Sequence, residues 1–455
     1  MTQILLFQHA RLIDGLTDQP QEDVSILVTG ERISTVTKDS LAPPAGVQVI
    51  DLSGKTVVPG LIDTHVHTML MGDEGLPLFI AAGVTSARDV GGKLEKVQQL
   101  KAELNSGKKL GPRLFICGPL LDGVDKSFDY PAFAEMLDSI PSPEAVPQKI
   151  GALLAAGVDA VKLYFTLPLD TAQAVIRFVD NRVPVTGHLG YTYSLDAIKA
   201  GINGLEHVWI SPYNEFCALD MRFGPGASMM SPKFWQQTLK GWEEADLQSR
   251  SARTWFDAMV EHRVNMGTTL DLLWVAKCGN EGALHDPDRP YIPPAALARQ
   301  RAMTARMGGE RPDWDIHPGF FEPVQGVKAL EKHQQVTRIL HEAGGLVVGG
   351  TDCGALSYPP PGFALLREIE LLAEAIGAMA ALQAVTSVAA RYLRKQEDIG
   401  AVAPGRYADF LVIDGDPLRD VRELRKLTTV YRGGVAHDPQ AILARAPRSD
   451  VQQSH

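Results

Sequence analysis

Apolar and polar positions interleave over the first sixty residues. "ILLFQHARLIDG", "DVSILVTGERISTV" and "VQVIDLSGKTVVPG" are short and rich in β-branched residues, the pattern of strands that bury one face. Between the first two, Asp14-Gly15 is turn chemistry and predicts a hairpin. The same style returns near the end, in "GRYADFLVIDGDP" and "LTTVYRGGVAHD". In between, the period changes. Eight apolar strand-like runs recur: "VVPGLIDTHVH", "GVTSARDVGG", "GPRLFICGPLL", "GVDAVKLYF", "VPVTGHLG", "GINGLEHVWI", "RVNMGTTLDLLW" and "GGLVVGGTDCG". Helical patterns such as "PEAVPQKIGALLAAG" and "SLDAIKAG" separate several of them. Continuous apolar runs mark strands buried on both faces, and strand–helix alternation implies parallel crossovers.

The expected fold is therefore α/β: a (β/α)8 TIM barrel over residues 60–398, with a small β-sandwich domain assembled from residues 1–59 and 399–455. An open doubly wound sheet fits the same alternation. Two stretches exceed a minimal barrel, near 211–255 and 276–325, both rich in Trp, Pro and charge. "HDPDRPYIPP" cannot be a regular helix, because proline fixes φ and removes donors. Both stretches follow strand ends and read as lid or rim elements. Trp235, Trp242, Trp255 and Trp314, with Trp274 at the seventh strand end, either line an aromatic-accepting pocket or pack beneath the lids.

The chemistry collects at strand ends. His65 and His67 are separated by one residue and share a strand face with Asp63. Paired imidazoles can clamp a metal, although their spacing alone shows only the shared face. Lys162 ends the fourth run, His188 the fifth, His207 the sixth and Asp352 the eighth. A charge inside an apolar run is costly unless it is partnered. Five strand ends bringing such residues to one barrel mouth point to a site. Tyr164 shares the face of Lys162 and either reaches substrate or packs in the core. Tyr191 and Tyr193 sit at the rim, as substrate contacts or surface residues. Arg88 could hold a substrate carboxylate, and its neighbour Asp89 could cap the following helix. His262, His285, His317, His333 and His341 read as solvated or packing residues, and Cys353 as a small buried one.

In this combination, HxH on the first strand, Lys on the fourth, His on the fifth and sixth and Asp on the eighth, the chain resembles the amidohydrolase superfamily. "PGLIDTHVH", "GVTSARDVGG" and "APGRYADFLVIDGDP" are similar to its imidazolonepropionase-like and prolidase-like branch, which includes Xaa-Pro dipeptidases and ochratoxinase-type enzymes. The resemblance runs to about residue 437. It implies two divalent metal ions, zinc being the leading choice. His65 and His67, with Asp352, would hold the more buried ion and His188 and His207 the other, while a carbamylated Lys162 bridges them. It further implies a bridging hydroxide as nucleophile, with Asp352 as general acid/base, and Tyr164, Arg88 and Tyr191 as substrate contacts. The implied reaction is hydrolysis of an amide C–N bond in a dipeptide, an N-acyl amino acid or an aryl amide such as an ochratoxin-like compound.

Deaminases of the superfamily place a Glu three residues after the fifth-strand His; here that position is Tyr191. A mononuclear cyclic-amide hydrolase or deaminase, a phosphotriester or ester hydrolase, and an inactive scaffold or binding homologue are the alternatives. A homo-oligomer is implied by the resemblance alone.

Charge and cysteines narrow the setting. The net charge is -10 and Lys and Arg are scattered, which argues against a nucleic-acid partner. No run approaches the roughly 20 apolar residues that span a bilayer, so no membrane partner is expected. Cys117, Cys217, Cys278 and Cys353 form no CxxC pair, which argues against a thiolate site and fits a reducing cytoplasmic setting.

Overall fold

The computed structural model describes residues 3–449, apart from 40, 45, 126, 128–129, 219–221, 225–226, 228, 230 and 307–322. The first strands are β1 (Ile4–Leu12), β2 (Gln21–Thr29), β3 (Arg32–Thr37), β4 (Gln48–Asp51) and β5 (Thr56–Pro59). β1 and β2 are antiparallel. The expected turn is present: Gly15 has φ +81°, and Asp14 accepts hydrogen bonds from the N–H groups of Leu16 and Thr17 at 2.7 and 2.8 Å.

The central strands are β6 (Leu61–Val66), β7 (Val84–Asp89), β8 (Arg113–Ile116), β9 (Leu120–Asp122), β10 (Leu137–Ser139), β11 (Val161–Leu163), β12 (Val185–Gly187), β13 (Gly204–Glu206), β14 (Asn265–Gly267) and β15 (Leu346–Val348). Each of the eight predicted runs contains one of them. The last strands are β16 (Phe410–Ile413), β17 (Leu427–Arg432) and β18 (Val435–His437).

Both termini enter one eight-stranded sheet, in the order β18-β17-β16-β5-β1-β2-β3 with β4 also paired to β1. β16 lies between β5 and β17 and is antiparallel to both. Phe7, Phe410 and Tyr431 pack there with ring centroids 4.7 to 5.2 Å apart, in an apolar cluster distinct from the main core.

The central strands form two parallel sheets, β6-β7-β8 and β10-β9-β11-β12-β13-β14-β15. Backbone hydrogen bonds link them at both ends. Asp159 N donates to Ile116 O at 2.7 Å, and Thr64 N and Asp352 N donate to Gly349 O and His65 O at 3.3 and 2.8 Å. The third predicted run differs from expectation, because it is split between the sheets. Gly118 takes φ +77° and Pro119 has no N–H to donate, so the ladder stops after β8 and resumes in β9.

The two predicted insertions hold helices. Residues 213–216 and 232–244 lie wholly within the first stretch, whereas helix Arg250–Glu261 crosses its predicted end and leads into β14. Position 276 falls inside helix Leu270–Leu284, and helix Pro294–Arg306 follows. Trp314, His317 and the rest of 307–322 lie outside the described residues. Trp242 and Trp255 are fully buried and donate to Trp209 O and Ser194 Oγ at 2.6 and 2.9 Å. Those two are packing residues. His333 is buried too, its ring 4.3 Å from that of Trp242. Arg299 ties helix Pro294–Arg306 to the segments that follow β6 and β15, donating to Leu70 O in the short helix Thr68–Met71 at 3.1 Å and also to Gly354 O.

Candidate metal centre

All six ligand-type residues expected at strand ends are buried: His65 lies near the end of β6 and His67 just after it, Lys162 within β11, His188 and His207 directly after β12 and β13, and Asp352 in the turn after β15. His65 Nε2 and His67 Nε2 lie 3.3 and 3.0 Å from Asp352 Oδ1. The donor atoms of these three residues all fall within 4.8 Å of one another, a spacing that could hold one metal ion. The His207 ring stands 4.5 Å from His65 and 4.5 Å from His188. Lys162 is 1% exposed, and its Nζ, like His188 Nε2, has no hydrogen-bond partner among the described residues. Buried polar atoms are almost always satisfied, so these two orphans mark a place for another group.

Local backbone geometry delivers the ligands. His207 and Asp352 adopt φ +62° and +56° immediately beyond β13 and in the turn after β15. Thr269, beyond β14, has φ +50° and lies 2.9 Å from His207 Nδ1 through its hydroxyl. A left-handed non-glycine residue costs on the order of 1–3 kcal/mol, and such residues cluster at functional sites. Gly350 permits the close approach of this turn to β6: a Cβ there would sit 2.8 Å from His65 Cβ.

The electrostatics suit metal ligands. Burial, then nearby Lys162, pushes His188 well below the usual imidazole range; burial and the neighbouring His65 do the same to His207. Both are therefore neutral near pH 7, the form that binds metal. Burial lowers Lys162 to about 8, against an opposing pull from Glu206. Burial alone would raise Asp352, but hydrogen bonds with His65 and His67 hold it well below the ordinary range.

The remaining expected residues lie around this cluster. Tyr164 is buried, its ring 4.9 Å from His188, whereas Tyr191 sits farther out, 5.9 Å from Phe165. Arg88 is not at the mouth. It is fully buried, donating from Nε to Thr64 O at 2.7 Å and from Nη2 to Glu206 Oε1 at 2.5 Å. The expectation that it meets a substrate carboxylate gives way to a buried ion pair. Asp89 does not cap the next helix; it accepts from Thr68 N at 2.8 Å and Gly91 N at 3.0 Å, closing the turn after β6. Trp209 was not singled out, yet its ring is 5.4 Å from His207 and 5.1 Å from Trp235, forming an aromatic wall beside the histidines.

Glu206 was also missed, although a charged residue inside "GLEHVW" was a visible signal. A second unpredicted feature lies just beyond β14. Asp271 and Glu368 are buried together, with Glu368 accepting from Asp271 N at 2.9 Å. Burial raises both acids, Glu368 to about 8.

Residues 315–436 match the amidohydrolase family. A dihydroorotase from Pelobacter propionicus is 35% identical over 89 residues, which is 18% of this chain and 20% of that protein. The chain thus aligns with about a fifth of that relative's length. Among solved structures, a Xaa-Pro dipeptidase with bound methionine superposes with a TM-score of 0.68 at 20% identity, covering 96% of this chain and 100% of the other. The A. niger ochratoxinase gives 0.65 at 15% identity, covering 96% of each chain. Among the described residues no helix is long and apolar enough to cross a membrane. The chain therefore carries the amidohydrolase family's pattern over residues 315–436, on an α/β fold that it shares along its length with a Xaa-Pro dipeptidase and an ochratoxinase.

Proposed function

We propose that the protein is a metal-dependent hydrolase that cleaves a peptide-like amide C–N bond. The observation that carries this reading is the convergence of His65, His67, Lys162, His188, His207 and Asp352, with Lys162 Nζ and His188 Nε2 buried and unpartnered among the described residues. In this reading the parallel central strands close into a (β/α)8 barrel spanning 60–398, and the eight-stranded sheet from both termini folds as a β-sandwich domain.

His65, His67 and Asp352 would hold one divalent ion, His188 and His207 a second, with Lys162 between them. Zinc suits the imidazole and carboxylate donors. A carbamate on Lys162 would supply two anionic oxygens between the two donor sets: its neutral amine would attack the carbon of CO2, form an N–C bond and release a proton. When bound, such ions polarise a carbonyl and make water acidic enough to attack near neutral pH. Asp352 would accept a proton from the attacking water and return it to the leaving nitrogen, so that amide and water become acid and amine. His188 and His207, held neutral at pH 7 by burial, keep their lone pairs for ligation. Trp209 and Trp235 offer an apolar wall, which favours substrates with an aromatic or aliphatic group beside the scissile bond. Tyr164 is the nearest of the expected substrate contacts and Tyr191 lies at the rim. Arg88 is reassigned to the support of the site. A soluble cytoplasmic homo-oligomer is the accompanying expectation.

A second reading, a mononuclear hydrolase or deaminase, is favoured by the fact that His65, His67 and Asp352 alone form a ready three-donor group among the described residues. Metal analysis combined with assays on X-Pro dipeptides and N-acyl amino acids tests both. Two ions per chain with release of a free amine support the first reading. One ion, with ammonia released from an amino-substituted ring, supports the second.

A further inference from the structure

We propose that Glu206 is the positioning residue of this centre, fixing the tautomer and orientation of His65 and completing its charge balance from below. This rests on the reading of His65 as a metal ligand.

Glu206 is fully buried at the end of β13, directly before His207. Both carboxylate oxygens are used. Oε2 lies 2.7 Å from His65 Nδ1. Oε1 accepts from Arg88 Nη2 at 2.5 Å, from Tyr392 OH at 3.1 Å and from the Thr186 hydroxyl. Tyr392 OH also reaches Thr186 Oγ1 at 2.7 Å, and the Arg88 guanidinium lies 4.5 Å over the Tyr392 ring. A buried carboxylate with this many donors is an ion that cannot rotate away. Its contact with His65 places a proton on Nδ1, which leaves the lone pair on Nε2, the atom facing Asp352. Ligating histidines are commonly oriented through their other ring nitrogen in this way. His67 has a weaker counterpart, Gly91 O at 3.3 Å from its Nδ1, and His207 has the Thr269 hydroxyl. Of these three Nδ1 contacts, that of His65 is the one made to a charged group.

Arg88 has a defined part in the arrangement. It neutralises Glu206, and its Nε anchors the pair to the backbone of β6 at Thr64, next to His65. One ion pair therefore joins β6, β7 and β13 beneath the ligands.

The test uses the full chain. Glu206→Gln keeps the shape but replaces a charged acceptor by a neutral one. Glu206→Met/Arg88→Met removes the acceptor together with the cation it neutralises, so that no buried charge is left unpaired. Each is loaded with Co2+; affinity is read by chelator competition, ligand geometry by the visible spectrum, and folding by circular dichroism of the metal-free protein. The expected result is about tenfold weaker binding in the first variant and about 100-fold in the second, the span seen for such supporting residues, with a shifted spectrum in both. A double variant that folds and binds Co2+ like wild type, with an unchanged spectrum, overturns the proposal and leaves Glu206 as a mere partner of Arg88. Wild-type protein that takes up no Co2+ instead overturns the metal reading, and this inference with it.

Discussion

His65, His67, Lys162, His188, His207 and Asp352 are costly residues for a core, and that cost made them legible. Each is a polar or charged group in or at the end of an apolar run, where burial without a partner is unfavourable. Glu206 escaped for a geometric reason. Strand alternation puts adjacent residues on opposite faces, which would send Glu206 away from His207. The left-handed turn at His207 breaks that alternation, and no residue type in "LEHVW" announces it. Arg88 misled because a strand-end arginine looks the same whether it meets a ligand or a buried glutamate. The histidines also carry a pH prediction. His188 and His207 have folded pKa values depressed below the ordinary 6.5 by burial. Below pH 6.5 the unfolded chain binds protons that these two folded histidines refuse, so their contribution to stability is full above that value and lost as the pH falls. Buried acids such as Glu368, raised to about 8, act with the opposite sign over the same range, so the test is a difference. Between pH 7 and 5 the denaturant midpoint of the metal-free wild type should fall relative to that of His188→Asn/His207→Asn, and a difference that does not change with pH contradicts this account.

At the scale of elements, periodicity identified strands and helices but misjudged where they stop. The "GPRLFICGPLL" run holds two strands because Gly118-Pro119 interrupts the ladder. The limits set for the insertions fell inside helices Arg250–Glu261 and Leu270–Leu284. Their tryptophans and charges suggested irregular rims, yet Trp255 is buried against its neighbours. The close fit between β6 and the turn after β15 was not visible either, since Gly349-Gly350 looks like any flexible pair. The structure gives Gly350 a specific task, because a side chain there would meet His65 Cβ at 2.8 Å. Gly350→Ala should therefore cost about 1–3 kcal/mol, the usual range for overpacking a tight core, and lower metal content alongside the melting temperature. Wild-type metal content together with wild-type stability would show that the two segments can part freely.

For the whole molecule, the main organisational feature is that the chain's two ends share one sheet. Turn chemistry and β-branched residues pointed to this pairing, but strand order is set by long-range contacts that no local pattern carries. β16 lies between β5 and β17, so the amino-terminal strands depend on residues about 350 positions later. Deleting residues 399–455 would expose the edge of β5 and the Phe7 cluster, leaving an unpaired, apolar strand edge prone to aggregation. The truncated chain should accumulate as insoluble protein; a soluble product with wild-type circular dichroism would show that the central strands fold without the terminal sheet. The central claim is a metal centre bridged by Lys162, and the most direct test is metal content per chain for wild type and Lys162→Ala, purified without chelator. Two ions in the wild type and a marked loss in the variant are predicted. One ion in both, unchanged by the substitution, would contradict the bridged centre.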